Sequence, residues 1–197
     1  MGTKAAMSTD PVESPETERL REGLKCVAVA LKETGVPFAL AGGYAAWANG
    51  APESLHDVDF LIRPEDAASV AQHLGARGME ILQPAEDWLF KVKVDGAVID
   101  LLHRGQGTSV DSMLAAAHET AVLSVRMPVL DATDVTTEKL LALDEHYCDL
   151  SQILPTLRAL REQVDWSEVG RRVSDAPYAE AVLFLLQRLG VIAPNHP

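Results

Sequence analysis

The chain has 197 residues, 47% of them apolar and 23% charged, with a formal net charge of −12. That length allows one domain with an ample core, or a compact catalytic unit with a helical appendage. The acidic balance counts against a generally nucleic-acid-binding surface, and the longest apolar runs fall far short of a bilayer span. Two cysteines, Cys26 and Cys148, make neither a disulfide framework nor a zinc signature and read as reduced, partly buried thiols. With no basic-then-apolar opening segment, the expected location is cytoplasmic.

Residues 1–15 lack apolar periodicity, contain Pro11 and Pro15, and read as a flexible lead-in, with Met7 as an alternative start. Leu20, Leu24, Val27 and Leu31 then recur at helical spacing until Gly35 and Pro37 stop the helix. Strands are expected over 36–41 and 55–62, separated by Gly42-Gly43 and a short helix over 44–49. Ala67, Val70, Ala71 and Leu74 mark a further helix, followed by strands over 79–82, 88–94 and 97–102. Asp95-Gly96 is a tight-hairpin signal that makes the last two strands antiparallel neighbours. Another extended pair is expected over 121–126 and 128–130. From Asp134 the pattern turns helical: one helix over 135–143, then one carrying Leu150, Ile153, Leu154, Leu157 and Val164 that Pro155 must kink or restart. A last helix spans 178–189 and stops at Gly190. The plan is a mixed α/β core over 16–131 and a helical region over 132–197.

The segment AGGYAAWANGAPESLHDVDFLI carries the chemistry. Alternation along a strand puts Asp57 and Asp59 on one face, with Val58, Phe60 and Ile62 on the other. Paired carboxylates repel, and a hard divalent ion, Mg²⁺ above all or Mn²⁺ in its place, supplies the missing charge. Asp100 interrupts the apolar strand AVIDLL and brings a third carboxylate if that strand lies nearby. Such a set holds two ions about 3.5–4 Å apart for an in-line phosphoryl displacement. In this scheme Asp57 and Asp59 hold metal and triphosphate, while Asp100 helps activate an acceptor hydroxyl. Gly42-Gly43, between a strand and a helix, lets phosphate oxygens approach backbone N–H groups.

On these residues the chain resembles the DNA polymerase β-type nucleotidyltransferase superfamily, whose pattern is a Gly-Gly or Gly-Ser turn, an Asp-x-Asp strand and a third Asp on a later strand. The resemblance spans roughly 36–103. It implies an α/β (α+β) nucleotidyltransferase-like mixed sheet flanked by helices, an NTP substrate, and Asp57, Asp59, Asp100 as metal ligands and catalytic groups. Within that superfamily the chain is similar to small bacterial AbiE-type and MenT-type toxins. Those add a helical half with a nucleotide-contacting Lys, here Lys139, and an Asp-Leu pair, here Asp149-Leu150. That likeness implies transfer to an RNA, particularly the tRNA 3′ end, and a small antitoxin partner. There are departures: Tyr44 follows Gly43, where a serine hydroxyl is missing, and Glu53 and Leu55 stand near the family's Arg and Thr.

Arg63, Lys91 and Lys93 are candidates for lining a phosphate entrance, or for a solvated strand face. His56 and His103 point away from the neighbouring carboxylates. Trp88 is the tryptophan to test for base stacking, and Arg171-Arg172 reads as a solvated helix face. The rivals to RNA transfer are a small-molecule, aminoglycoside-like nucleotidyltransferase, which suits the acidic charge, and a non-catalytic nucleotide- or partner-binding member of the fold.

Overall fold

The computed structural model describes residues 14–193. The lead-in expected over 1–15 lies outside these except for Ser14 and Pro15, which start a helix. Ser14 accepts a hydrogen bond from the Thr17 amide and Pro15 fills the first turn of α1 (Pro15–Thr34). Leu24, Val27, Ala28 and Leu31 bury its inner stripe, and Gly35 ends it in the left-handed conformation.

β1 (Phe38–Ala41), α2 (Gly42–Ala48), β2 (Val58–Ile62), α3 (Ala67–Ala76), β3 (Glu80–Leu82), β4 (Leu89–Val94) and β5 (Ala97–Leu102) follow. Then come α4 (Val110–Ala116), β6 (His118–Val122), β7 (Val125–Val129) and the helices α5 (Ala132–Leu141), α6 (Leu150–Leu160), α7 (Trp166–Arg172) and α8 (Pro177–Arg188). The strands form one mixed sheet in the order β3-β4-β5-β2-β1-β7-β6. β2 runs antiparallel to β1 and parallel to β5, and the Asp95-Gly96 turn joins β4 to β5 antiparallel, as the sequence predicts.

Alternation decides the two faces. Val58, Phe60 and Ile62 of β2 and Ala97, Ile99 and Leu101 of β5 are buried in the core, on the side where α1 crosses β5. Asp59 and Asp100 therefore fall on the opposite face. There α2 packs on β1 and β2 and meets α5, and α5 in turn contacts α6, α7 and α8. One continuous hydrophobic cluster runs from Leu20 to Leu186 and includes residues of both the sheet and the C-terminal helices. Among the described residues no helix is long and apolar enough to cross a membrane.

Several expectations are corrected. The strand expected over 55–62 begins only at Val58, so Leu55, His56 and Asp57 lie in the preceding bend and are exposed. The late hairpin turns at Leu123-Ser124, not near residue 127; both turn residues have positive φ, 48° and 68°, without the Gly or Asn that marks such turns in a sequence. α4 was not expected, because Met113 is its only buried residue and leaves no apolar stripe. Pro155 sits inside a continuous α6, and Val164 lies beyond that helix. Both cysteines are exposed rather than partly buried.

Candidate active site

The ladders place Lys91, Asp100, Asp59 and Ala41 in one row across four strands. Asp59 stands opposite Asp100, Asp100 opposite Lys91, and Asp59 opposite Ala41. Partners in register share a face, so two carboxylates and an ammonium lie side by side. Lys91 Nζ donates to both oxygens of Asp100, at 2.9 and 2.7 Å. Asp57 is exposed just before β2, near enough for its charge to act on Asp59.

The turn after β1 closes on the row. Gly42 has φ 57°, and a Cβ there would lie 1.8 Å from Asp59 Oδ2, inside the carboxylate. No other residue fits. A Cβ on Gly43 would meet Ser54 Cβ and Oγ, each at 2.6 Å. Ser54, on the facing loop, thus brings a hydroxyl to the place where the turn itself carries none. The sequence gives no sign of this, because Ser54 and Gly43 meet only through the loop's path.

That loop is tied down. Arg21 of α1 binds Glu53 through two hydrogen bonds, 2.8 and 2.7 Å long, and the hydroxyl of buried Tyr44 donates to the same carboxylate at 3.3 Å. Arg21 holds the Glu53 carboxyl below its ordinary range, while burial, with the adjacent Glu53 charge, pushes Tyr44 up to about 12. Tyr44 is therefore a core residue that anchors the loop.

The electrostatics of the row are unbalanced. Burial first, then repulsion from Asp100 and Asp57, pushes Asp59 up to about 7, against the pull of Lys139 and Lys91. Lys139 of α5 is lowered by burial, partly offset by Asp59 and Asp57. It lines a groove of about 590 Å³ together with Gly43, Ser54, Leu55, Tyr147 and Asp149. Asp149 caps α6, accepting from the Ser151 amide and hydroxyl and from Gln152. Gly43, Lys139 and Asp149 thus come together on the groove, beside the carboxylate row.

An oxygen-only donor set whose central carboxylate is destabilised by its neighbours fits a hard divalent cation. Among the described residues, however, no three His, Cys, Asp or Glu side chains converge on one ion position. Asp100 is turned to Lys91. Lys91, expected at a phosphate entrance or a solvated face, is instead this carboxylate's partner. Lys93 pairs with Glu80 and Arg63 with Asp111. His56 is exposed on the groove rim, His103 and Trp88 are half-buried, and Arg172 is bound to the buried Asp134 at 2.6 Å rather than simply solvated.

No family model matches the chain, and no curated protein does. Solved structures do. ANT(2")-Ia in complex with adenylyl-2"-tobramycin matches with a TM-score of 0.60 at 12% identity, over 82% of this chain and 98% of that one. The architecture is nucleotidyltransferase-like. A solution structure of the same antibiotic-resistance factor gives 0.61 at 11% identity, over 87% and 98%. An antigenic nucleotidyltransferase-like protein from Paracoccidioides brasiliensis gives 0.52 at 14% identity, over 86% and 94%. At these identities the likeness concerns the nucleotidyltransferase-like fold: the mixed sheet that carries the row and the helices that wall the groove.

Proposed function

We propose that the chain transfers a nucleoside monophosphate from an NTP to an acceptor hydroxyl, releasing pyrophosphate, in the cytoplasm. The observation that carries this reading is the Asp59–Asp100 register pair lying beside Gly42, with Lys139 close enough to feel the charge of Asp59. In the reading, Lys139 and the backbone at Gly42-Gly43 hold the triphosphate, with Asp149 on the groove wall toward the nucleoside. Asp57 and Asp59 would hold a divalent ion, joined by Asp100 once released from Lys91, and that ion would neutralise phosphate charge there. The acceptor oxygen bonds to the α-phosphorus as the bond to the bridging oxygen breaks, and Asp100 takes the acceptor's proton.

For the acceptor we favour a small, positively charged molecule with a free hydroxyl. The chain carries −12, Asp149 on the groove is held in its charged form by its capping hydrogen bonds, and ANT(2")-Ia was solved with an adenylylated tobramycin. A tRNA 3′ end, with a small antitoxin as partner, is the second reading. It is supported by Lys139 and Asp149 both lining the groove, where the toxin resemblance expects nucleotide contacts.

The test incubates pure protein with Mg²⁺, each labelled NTP, and either polyamine aminocyclitols or total RNA. A labelled small product and pyrophosphate from wild type, absent with Asp59→Asn, is the expected result. A labelled tRNA-sized band would move the acceptor to RNA. Tight nucleotide binding without turnover would overturn transfer in favour of a binding protein.

A further inference from the structure

The row contains a cation of its own. Lys91 and Asp100 face each other directly across the β4–β5 ladder, and the ammonium touches both carboxylate oxygens. Asp100 is largely enclosed, with its side chain 16% exposed against 36% for Lys91. An ion pair so placed is screened less than a surface pair. Asp100 is also the register neighbour of Asp59, so an ion shared by the two carboxylates would approach oxygens to which Lys91 already donates. With Lys139 on the groove side, two ammoniums offset part of the charge of Asp57, Asp59 and Asp100.

We propose that Lys91 is a built-in counter-ion that competes with a divalent cation for Asp100, and so holds the row's affinity for the free ion low. Lys91 acts here as a positioning residue, through Asp100. The consequence is a site that takes up its ion together with the anionic triphosphate, whose charge compensates the cation that Lys91 otherwise opposes. The inference rests on the nucleotidyltransferase reading and concerns ion binding alone.

The test measures Mn²⁺ binding without nucleotide, by calorimetry and by the paramagnetic resonance signal of free Mn²⁺. Lys91→Met is expected to bind Mn²⁺ about tenfold more tightly than wild type, a free-energy difference of about 1.4 kcal/mol. Lys91→Arg, which keeps the charge, is expected to stay within about threefold of wild type, roughly 0.65 kcal/mol. Adding Asp100→Asn to Lys91→Met is expected to cancel the gain, and the charge-keeping Lys91→Arg separates a charge effect from a packing one. If Lys91→Met binds no more tightly while Asp59→Asn abolishes binding, the inference fails and the metal-site reading stands. If neither wild type nor Lys91→Met binds Mn²⁺ in a way that depends on Asp59, both fail.

Discussion

At Asp59 the proposed function and stability oppose each other. Its folded carboxyl is raised from 3.8 to about 7, mainly by burial and then by Asp100 and Asp57. A raised carboxyl favours the fold in full only below the unfolded value, and that contribution is lost as pH rises through about 7. With a chelator present, Asp59→Asn should therefore be more stable than wild type at pH 8, by roughly 1–3 kcal/mol. The difference should vanish toward pH 4, and melting curves across that range check it. The same substitution should abolish transfer. Ser54 and Gly43 make a second prediction at this scale. Gly43→Ser alone collides with Ser54, and Ser54→Gly alone removes the hydroxyl, so each should weaken NTP binding by about tenfold. The exchange of both residues should restore most of it in a nucleotide titration.

Elements meet at the site through pairs distant in sequence. Arg21 on α1 reaches Glu53 on the loop before β2, and Tyr44 on α2 joins them, so three segments are fixed by one carboxylate. Glu53 is lowered, chiefly by the Arg21 hydrogen bonds. Its contribution is present above the unfolded carboxyl range and is lost as pH falls through the folded value. Glu53→Gln should cost about 1–2 kcal/mol at pH 7 and progressively less as the medium is made acidic, read from denaturant midpoints. Legibility differed by element for physical reasons. The β4–β5 hairpin was readable because Asp95-Gly96 announces its turn, with φ 48° and 82°. The β6–β7 hairpin was displaced because Leu123 and Ser124 adopt left-handed backbone without the residues that prefer it.

For the whole molecule, a charged cluster fastens the C-terminal helix α7 to α5, the helix that carries Lys139. Arg172 of α7 binds Asp134 of α5 at 2.6 Å and Thr108 at 3.4 Å, and Glu168 at 2.6 Å completes the cluster. Asp134 has a side chain 3% exposed, and burial raises its carboxyl despite Arg172. Arg172→Met leaves that carboxylate buried without its partner and should cost about 3–5 kcal/mol, whereas adding Asp134→Asn should recover much of it. Because α5 carries Lys139, the same variant should also raise the KM for NTP in the transfer assay. Glu138, one residue earlier, accepts from the amides of Gln106 and Thr108 and ties α5 to the segment after β5.

By itself the sequence determined β1 to β5 to within a few residues and the Gly42-Gly43 turn, because each leaves a local mark: an apolar alternation or a missing side chain. Only the tertiary structure decided which residues face one another. Parallel pairing of β2 with β5 sets Asp59 against Asp100 across the intervening α3, β3 and β4, a contact that no local window of sequence contains. The β4–β5 ladder, whose turn the sequence does announce, made Lys91 the partner of Asp100 rather than an entrance lysine, while only the loop path put Ser54 against Gly43. Register is a property of the assembled sheet, since a one-residue slip would send every one of these side chains to the opposite face.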